Sequence, residues 1–270
     1  MSTLTSYASA SARDSAAPAA SNTGLCIFRS DTKTIEVSDG TNYLTYNNDG
    51  VAYYNFSGSN SHSGEFDGAG DYIHIATVAA TLNASSNFSL ACYFNVDSTA
   101  SIQHIFGAGT SSSNRIWGQI RNSTTIRIGV VNTYDEFTVS TLSTGTWYHL
   151  VCSISGTSCT LYLNGNSQGS VTVNSLTSTI FNNFQIGLLP TAAGFPSGLY
   201  YDGKLDELAI FNRALTSTEV SDIYDDKIYA QPTAMYRLDD GVTDETGNYN
   251  GTNNGVSFSA KADDPANTPY

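Results

Sequence analysis

The residues of this sequence that could take part in chemistry are a few acidic side chains, scattered histidines and a set of aromatic residues. Glycoside hydrolysis requires two carboxylates across a cleft. The adjacent Asp206 and Glu207 are predicted to point to opposite faces of one strand, so they cannot act on one substrate. The four histidines are His62, His74, His104 and His149. No nucleophilic residue has a spacing from them that would indicate a catalytic pair. The sequence therefore predicts no catalytic residue and no enzyme activity.

Aromatic side chains among Ser, Asn and Gly form a second group of candidates. Stacking of aromatic rings on sugar faces, with polar side chains that read the hydroxyl groups, is the usual physics of glycan binding. The candidate residues for such a surface are Trp117, Tyr134, Tyr200 and Tyr201. Trp117 alternates with Arg115 and Gln119 along a predicted strand, so the pattern is equally compatible with a buried Trp117.

The overall charge restricts the partners of the protein. The 270 residues include 11 Lys and Arg against 24 Asp and Glu, which gives a net charge of −13. Because phosphate binding requires a basic stripe, we expect no nucleic acid partner. The sequence has no apolar run of about 18 residues and no basic or apolar signal-peptide region at its start. We therefore expect no membrane association and folding in a reducing cytosol.

Three cysteines are predicted to point into the core. Cys92, Cys152 and Cys159 each alternate with apolar neighbours, and the last two flank a hairpin turn near residues 155–156. Buried thiols that pack as small apolar side chains are the expected state. A disulfide between Cys152 and Cys159 would require the two to lie directly opposite each other, and no cysteine spacing resembles a zinc site.

The chain divides into three predicted segments. Residues 1–50 combine an Ala-, Ser- and Thr-rich arm, expected to be extended or loosely ordered to about residue 23, with a small β-meander. Residues 51–230 form the main domain, and residues 231–270 form a C-terminal segment.

Short strands separated by turns run through the main domain, and this pattern predicts an all-β sandwich or barrel. One helix is predicted at 217–226. Thr216 and Glu219 form a capping box at its start, and Val220, Ile223 and Tyr224 form its apolar face.

Four spaced motifs of the main domain resemble the laminin G-like family of the concanavalin A-like superfamily. They are FDGAGDYI at 66–73, FSLACYF at 88–94, WYHLV at 147–151 with LYLNG at 161–165, and GKLDELAIFNRALT at 203–216. Each motif is weak by itself, but the four occur in the order typical of the family. The resemblance implies a concanavalin A-like jelly-roll β-sandwich of two antiparallel sheets.

The resemblance also implies a calcium ion at the edge of the sandwich, as is common in this family. The candidate ligands are Asp67 and Asp71, which flank a tight turn that contains glycine, and Asp206 in the fourth motif. Carboxylate and carbonyl oxygens are the ligands that Ca²⁺ requires. A purely structural role is the alternative, because Asp67-Gly68 is also ordinary turn chemistry.

The C-terminal segment departs from the family pattern. The family usually opens with an apolar strand, an acidic D-x-x-G-N loop and a G-T turn, whereas the similar segment here, residues 235–258, follows the main domain. Three arrangements are open: a permuted strand that completes the same sandwich, donation to a neighbouring subunit, or a remnant of a second domain. Permutation is favoured because the termini of a sandwich usually lie close together.

Residues 29–43 resemble an element of tail fibres and head-attached proteins of bacteriophages. Together with the laminin G-like motifs, this resemblance implies a virion surface protein: a capsid decoration, a head fibre or a tail-associated adhesin. Its expected partners are other virion proteins, copies of itself in a homo-oligomer such as a trimer, and a host-surface glycan. Such a protein is assembled in the host cytoplasm and lies on the virion surface.

A free carbohydrate-binding module of bacterial or environmental origin is the alternative function. It predicts that the sandwich folds and binds glycans when residues 1–50 are deleted. The virion hypothesis predicts instead that this deletion abolishes incorporation into particles.

Overall fold

The structure, a computed structural model, describes residues 62–191, 199–224 and 232–260, and outside these ranges the backbone of six strands. The chain forms two compact units. The first contains residues 1–59, 225–231 and 269–270, and the second contains residues 60–224 and 232–268. None of the helices in the described ranges is long and apolar enough to cross a membrane.

The first unit contains a six-stranded sheet. Its strands, numbered along the chain and given in their order across the sheet, are β1 (Thr5–Tyr7), β2 (Cys26–Arg29), β3 (Thr34–Ser38), β4 (Tyr43–Tyr46), β5 (Ala52–Asn55) and β18 (Tyr229–Ala230). Strands β2, β3 and β4 form an antiparallel meander. Strand β1, which lies in the predicted arm, is extended and pairs in parallel with β2.

The second unit contains two antiparallel sheets of seven and eight strands. Across the seven-stranded sheet the order is β12 (Thr133–Thr138), β11 (Thr125–Val130), β10 (Asn114–Asn122), β9 (Gln103–Ser111), β16 (Phe184–Ile186), β7 (Tyr72–Ile75) and β20 (Thr252–Asn254). Across the eight-stranded sheet it is β15 (Asn166–Thr172), β14 (Ser158–Leu163), β13 (Trp147–Ser155), β8 (Asn87–Val96), β17 (Asp202–Phe211), β6 (His62–Asp67) and β21 (Ser257–Ala260), with β19 (Ala234–Tyr236) paired to β17. The predicted jelly-roll sandwich is confirmed.

Alternation along the strands builds the core between the two sheets. In β8 the inward side chains are completely buried: Phe88, Leu90, Cys92, Phe94 and Val96. Around Phe88 the rings of Phe106, Phe181 and Phe184 lie with centroids 4.8 to 6.3 Å away. Each fully buried aromatic side chain contributes roughly 1.5 to 3 kcal/mol to stability, so this ring cluster is a large part of the contact between the sheets.

Within the described residues, helices α1 (Ala79–Leu82) and α2 (Ser217–Tyr224) accompany the two sheets of the second unit. The predicted capping box opens α2: the Glu219 amide donates to Thr216 Oγ1 over 3.2 Å, and the Thr216 amide donates to Glu219 Oε2 over 2.8 Å. Val220 and Ile223 are buried, as the apolar pattern predicts, whereas Tyr224 at the end of the helix is 39% exposed. The sequence analysis does not predict α1, which begins without a side-chain cap.

The predicted buried thiols are confirmed for Cys92, Cys152 and Cys159, which are free and buried. Cys152 lies opposite Leu161, and Cys159 lies opposite Ile154, so the two cysteines are diagonal neighbours rather than a direct pair. Their sulfur atoms are 3.8 Å apart.

Residues 234–260 pair with strands of both sheets in the second unit. Strand β19 pairs with β17, β20 with β7, and β21 with β6. The acidic loop between β19 and β20 is organised by Asp244, which is almost completely buried and accepts hydrogen bonds from the amides of Met235, Thr246, Asn248 and Tyr249. Because a buried carboxylate needs such donors, this loop has a structural role.

Candidate functional site

Four aspartates line one pocket of about 230 Å³ beside the ends of β6, β8 and β17: Asp67, Asp71, Asp97 and Asp202. Asp67, the last residue of β6, pairs with Asp202, the first residue of β17. Asp97 follows β8, and its amide donates to the Asp202 carbonyl over 3.1 Å. The structure thus places Asp67 and Asp71 together, and adds two aspartates that the sequence analysis missed because they are distant along the chain.

Hydrogen bonds within the turn already engage the two predicted aspartates. The Ala69 amide donates to Asp67 Oδ1 over 2.8 Å, and the Asp67 amide donates to Asp71 Oδ2 over 3.0 Å. The other oxygen of Asp71 lies against Gly255, where a Cβ atom would be only 2.0 Å away. Both carboxylates therefore fix the turn between β6 and β7, and Asp71 also fits it against the C-terminal segment.

Two of the four aspartates, Asp71 and Asp202, have a raised pKa. Partial burial raises the pKa of Asp71. Partial burial raises the pKa of Asp202 as well, and the negative charges of Asp97 and Asp67 add to this shift. The pocket is therefore a place where like charges repel one another at neutral pH.

Asp206 does not belong to this pocket. It lies four residues along β17 from Asp202, which corresponds to about 13 Å in an extended strand. Its residue is 0% exposed, and it pairs with Tyr93 at a β-bulge that also contains Glu207 with a positive φ of 47°. The three predicted calcium ligands therefore do not form one site. Because of the bulge, Asp206 and Glu207 also do not follow strict alternation between the two faces of the strand.

The carboxylate oxygens of the acidic pocket are of the type that Ca²⁺ prefers. In the described part of the chain, no three His, Cys, Asp or Glu side chains converge as metal ligands. The hydrogen bonds of Asp67 and Asp71 give these two residues a structural role in the turn, and calcium binding stays a prediction.

The outer surface of the seven-stranded sheet holds Trp117 and Tyr134. Gly129 of β11 pairs with Trp117 on one side and with Tyr134 on the other. The Trp117 ring lies over Gly129, because a Cβ atom there would be 2.1 Å from the ring, and Leu189 packs on Trp117. Trp117 is only 1% exposed, so the prediction that it binds a ligand at the surface is wrong.

Tyr134, in contrast, is 52% exposed. The Arg127 guanidinium lies 4.3 Å from the centroid of its ring, a cation–π contact that supports one face. Arg127 forms an ion pair with Glu136 at 2.6 Å, and its Nη1 donates to Gln119 Oε1 over 3.3 Å. We call Tyr134, Arg127 and Glu136 the Tyr134 platform.

The support behind the platform continues to His104. Gln119 Nε2 lies 3.0 Å from His104 Nε2, and His104 Nδ1 lies 3.1 Å from the Leu199 carbonyl. Burial lowers the pKa of His104 to about 4, so the ring is neutral at pH 7. Gln119 and His104 therefore form a buried, hydrogen-bonded row behind the platform, and this row restricts the movement of the Arg127 side chain.

The two remaining aromatic candidates lie apart from this surface. Tyr201 is completely buried, and its hydroxyl donates to the Asn95 carbonyl over 2.9 Å. Burial raises the pKa of Tyr201 well above its ordinary value. The prediction of Tyr201 as a ligand-stacking residue is therefore wrong, because its ring is not accessible. Tyr200 is half-buried.

Arg127 and Glu136 are not among the candidates from the sequence, although a signal for them exists. Strand β12 begins at Thr133, so it includes Tyr134 as well as Glu136. With the observed start, Tyr134 and Glu136 are two residues apart and share one face of the strand. Arg127 faces Glu136 directly in the register of β11 and β12.

Comparison with known proteins agrees with this fold. The laminin G-like profile of the concanavalin A-like lectin/glucanases superfamily matches residues 67–221, more than half of the chain, and the chain belongs to this superfamily. No curated protein matches the sequence.

Two solved structures are similar to the chain. A candidate carbohydrate-binding protein from Bacteroides ovatus has 17% identity and a TM-score of 0.58, covering 89% of this chain and 70% of its own. A heptameric SAP-like pentraxin from Limulus polyphemus has 13% identity and a TM-score of 0.53, covering 77% of this chain and 98% of its own. At these identities the likeness shows the fold alone. The comparisons give no support to the bacteriophage resemblance, and the side chains of residues 29–43 lie outside the described residues.

Proposed function

We propose that the protein is a non-catalytic carbohydrate-binding protein that holds a sugar ring against Tyr134. One observation carries this proposal: a large aromatic side chain, 52% exposed, is held on the outer surface of a sheet by an arginine under its ring. An exposed aromatic side chain forgoes the free energy that burial of its apolar surface would give. A rigid ring with hydrogen-bonding neighbours is suited to stacking on a sugar.

The neighbours of Tyr134 supply the polar part of such a site. Arg127 lies against one face of the ring and is bonded to Glu136, which shares a face of β12 with Tyr134. Carboxylate and guanidinium groups can exchange hydrogen bonds with sugar hydroxyls. Membership of the lectin/glucanases superfamily supports this class of ligand.

Binding without hydrolysis is the second part of the proposal. Glycoside hydrolysis requires two carboxylates on either side of the bond to be cleaved. Glu136 is tied to Arg127, and Asp135, its neighbour in β12, points to the opposite face of the strand by alternation. The platform therefore offers one carboxylate, which is suited to binding.

The test is the affinity of the protein for immobilised polysaccharides after Tyr134→Ala and Tyr134→Phe substitution. Loss of the ring should weaken binding by about ten- to a hundredfold, since stacking contributes on the order of 1 to 3 kcal/mol. Tyr134→Phe keeps the ring and should bind nearly as the original protein does. Affinity electrophoresis with circular dichroism as a folding check measures both.

Unchanged binding by the Tyr134→Ala protein would contradict this site. Tyr200→Ala is a useful comparison, because Tyr200 is an aromatic residue of the sequence prediction that lies outside the platform. Attachment to a virion, a trimeric state and other virion proteins as partners stay predictions from the N-terminal sequence.

A further inference from the structure

We propose that His104 and Gln119 are positioning residues of the Tyr134 platform, because their hydrogen-bonded row can run in only one direction and fixes Arg127 against the tyrosine ring. The row begins at the Leu199 carbonyl and ends at the guanidinium of Arg127. The inference rests on the proposed function and adds two buried residues that influence binding without contact with the sugar.

Strand register places the row on neighbouring strands of the seven-stranded sheet. His104 of β9 pairs directly with Gln119 of β10, and Gln119 pairs with Arg127 of β11. Arg127 in turn pairs with Glu136 of β12. Directly paired side chains lie on the same face of a sheet and within contact distance of each other. The row therefore leads from the buried interior of the sheet to its edge strand, which carries the platform.

The two ends of the row fix the direction of every hydrogen bond in it. The Leu199 carbonyl can only accept and lies 3.1 Å from His104 Nδ1, so Nδ1 carries the ring proton. Because burial lowers the pKa of His104 to about 4, the ring is neutral at pH 7, and its bare Nε2 accepts from Gln119 Nε2 over 3.0 Å. Gln119 Oε1 then faces Arg127, which can only donate. A reversed Gln119 amide would place donor against donor at Arg127.

Gln119 supplies the second fixed point that orients Arg127. Arg127 Nε and Nη2 both contact a single oxygen of Glu136, Oε1, at 2.7 and 2.6 Å. A guanidinium bonded to one oxygen can still turn about it, whereas the further bond from Nη1 to Gln119 Oε1 fixes its plane. The Glu136 side chain is 48% exposed, but Gln119 is buried in the sheet. The orientation of the guanidinium against the Tyr134 ring therefore depends on the buried partner.

Ordering of Arg127 before a ligand arrives gives the row its effect on affinity. Immobilising one flexible side chain during binding corresponds to roughly a two- to tenfold loss of affinity. In the original protein Arg127 is already held when a sugar stacks on Tyr134. Without Gln119, part of the binding free energy would be used to order the guanidinium.

The experiment compares Gln119→Met with Gln119→Glu in the full chain, by affinity electrophoresis in gels that contain the neutral polysaccharides dextran or galactomannan. Gln119→Met keeps a similar length but removes the acceptor, so binding should weaken by about two- to tenfold. Gln119→Glu keeps an oxygen for Arg127, so binding should stay within about twofold of the original. A role in packing alone predicts the reverse order, because a buried position tolerates an apolar side chain better than an added carboxylate.

The ring nitrogens of His104 give a second readout that needs no ligand. Nitrogen-15 NMR of the original protein should show a protonated Nδ1 and a bare Nε2. In Gln119→Glu the new carboxylate lies beside Nε2 and stabilises the protonated ring, so the pKa of His104 should rise above about 4. Arg115 of β10, whose charge lowers this pKa, and Arg127 are unchanged in the variant. Gln119→Met should show no such rise.

Gln185→Met and Gln185→Glu are the matched controls, because Gln185 is a buried glutamine on β16 of the same sheet and lies outside the row. Both should bind as the original protein does. Weaker binding by Gln119→Glu than by Gln119→Met, or a His104 ring with its proton on Nε2, would overturn the inference. The proposed function fails in a different way, through unchanged binding by Tyr134→Ala or no binding to any polysaccharide. Loss of binding in Tyr134→Ala with unchanged binding in Gln119→Met would remove only the role of the row.

Discussion

The contrast between Trp117 and Tyr134 shows how single residues decide where a ligand could bind. The two side chains lie on the same surface, on either side of Gly129 in the strand register. Trp117 is buried because glycine leaves room for its ring and Leu189 packs against it, whereas Tyr134 on the edge strand stays 52% exposed. The accessible aromatic surface therefore depends on a neighbour that carries no side chain.

Gly129→Ala tests this dependence at the residue scale. The added methyl group would lie 2.1 Å from the Trp117 ring, so the ring must move out of its position. We expect the free energy of unfolding to fall by about 1 to 3 kcal/mol, as for other overpacked sites. Urea denaturation measures the change. Gly241→Ala is the control, because nothing lies within 4 Å of its added atom, and its stability should change little.

Helix α2 is the element whose formation can be argued most completely from local sequence. Thr216 and Glu219 exchange hydrogen bonds across the first turn, and Arg213 adds an ion pair to Glu219 at 2.8 Å. On its apolar side, the Tyr224 ring lies 5.7 Å from that of His149 in β13. Local capping thus places the helix start, and packing on the sheet places its end.

Thr216→Ala should lower the free energy of unfolding by about 1 kcal/mol, because the Glu219 amide loses its side-chain acceptor. Thermal unfolding monitored by circular dichroism measures the effect. Ser217→Ala, one position further along, keeps the capping box and should leave the melting temperature nearly unchanged. A similar loss in both variants would mean that the capping box does not stabilise the helix.

At the scale of the whole molecule, two buried histidines predict a loss of stability in acid. Burial lowers the pKa of His104 to about 4 and that of His149 to about 3, from an ordinary value of 6.5. Below pH 6.5 the unfolded chain therefore binds protons that the folded protein excludes. Stability is fully present above pH 6.5 and falls as the pH decreases toward 4 and 3.

The size of this effect can be measured by urea denaturation between pH 7 and pH 4. Each histidine should account for a loss of roughly 3 kcal/mol by pH 4. His149→Gln removes one titrating ring and should flatten the decline. His74→Gln is the comparison, because His74 is only half-buried in β7. An equally steep decline in His149→Gln would show that another group is responsible.

Much of the fold follows from the sequence because it depends on local regularities. The period-two pattern of β8 predicts which side chains point into the core, and the capping box of Thr216 predicts a helix start. The Asp67 turn also forms as ordinary turn chemistry predicts, with its own amide contacts. Each of these depends on residues within a few positions of one another.

The candidate site depends on the tertiary structure because alternation tells which side of a strand a residue is on, but not what covers that side. Trp117 and Tyr201 are both aromatic candidates in the sequence, and the structure buries both. Asp206 is separated from Asp67, while Asp202 joins it through strand pairing. The sequence by itself therefore determined the sandwich and its inward faces. Only the pairing of distant strands decided which side chains stay exposed and which charges meet.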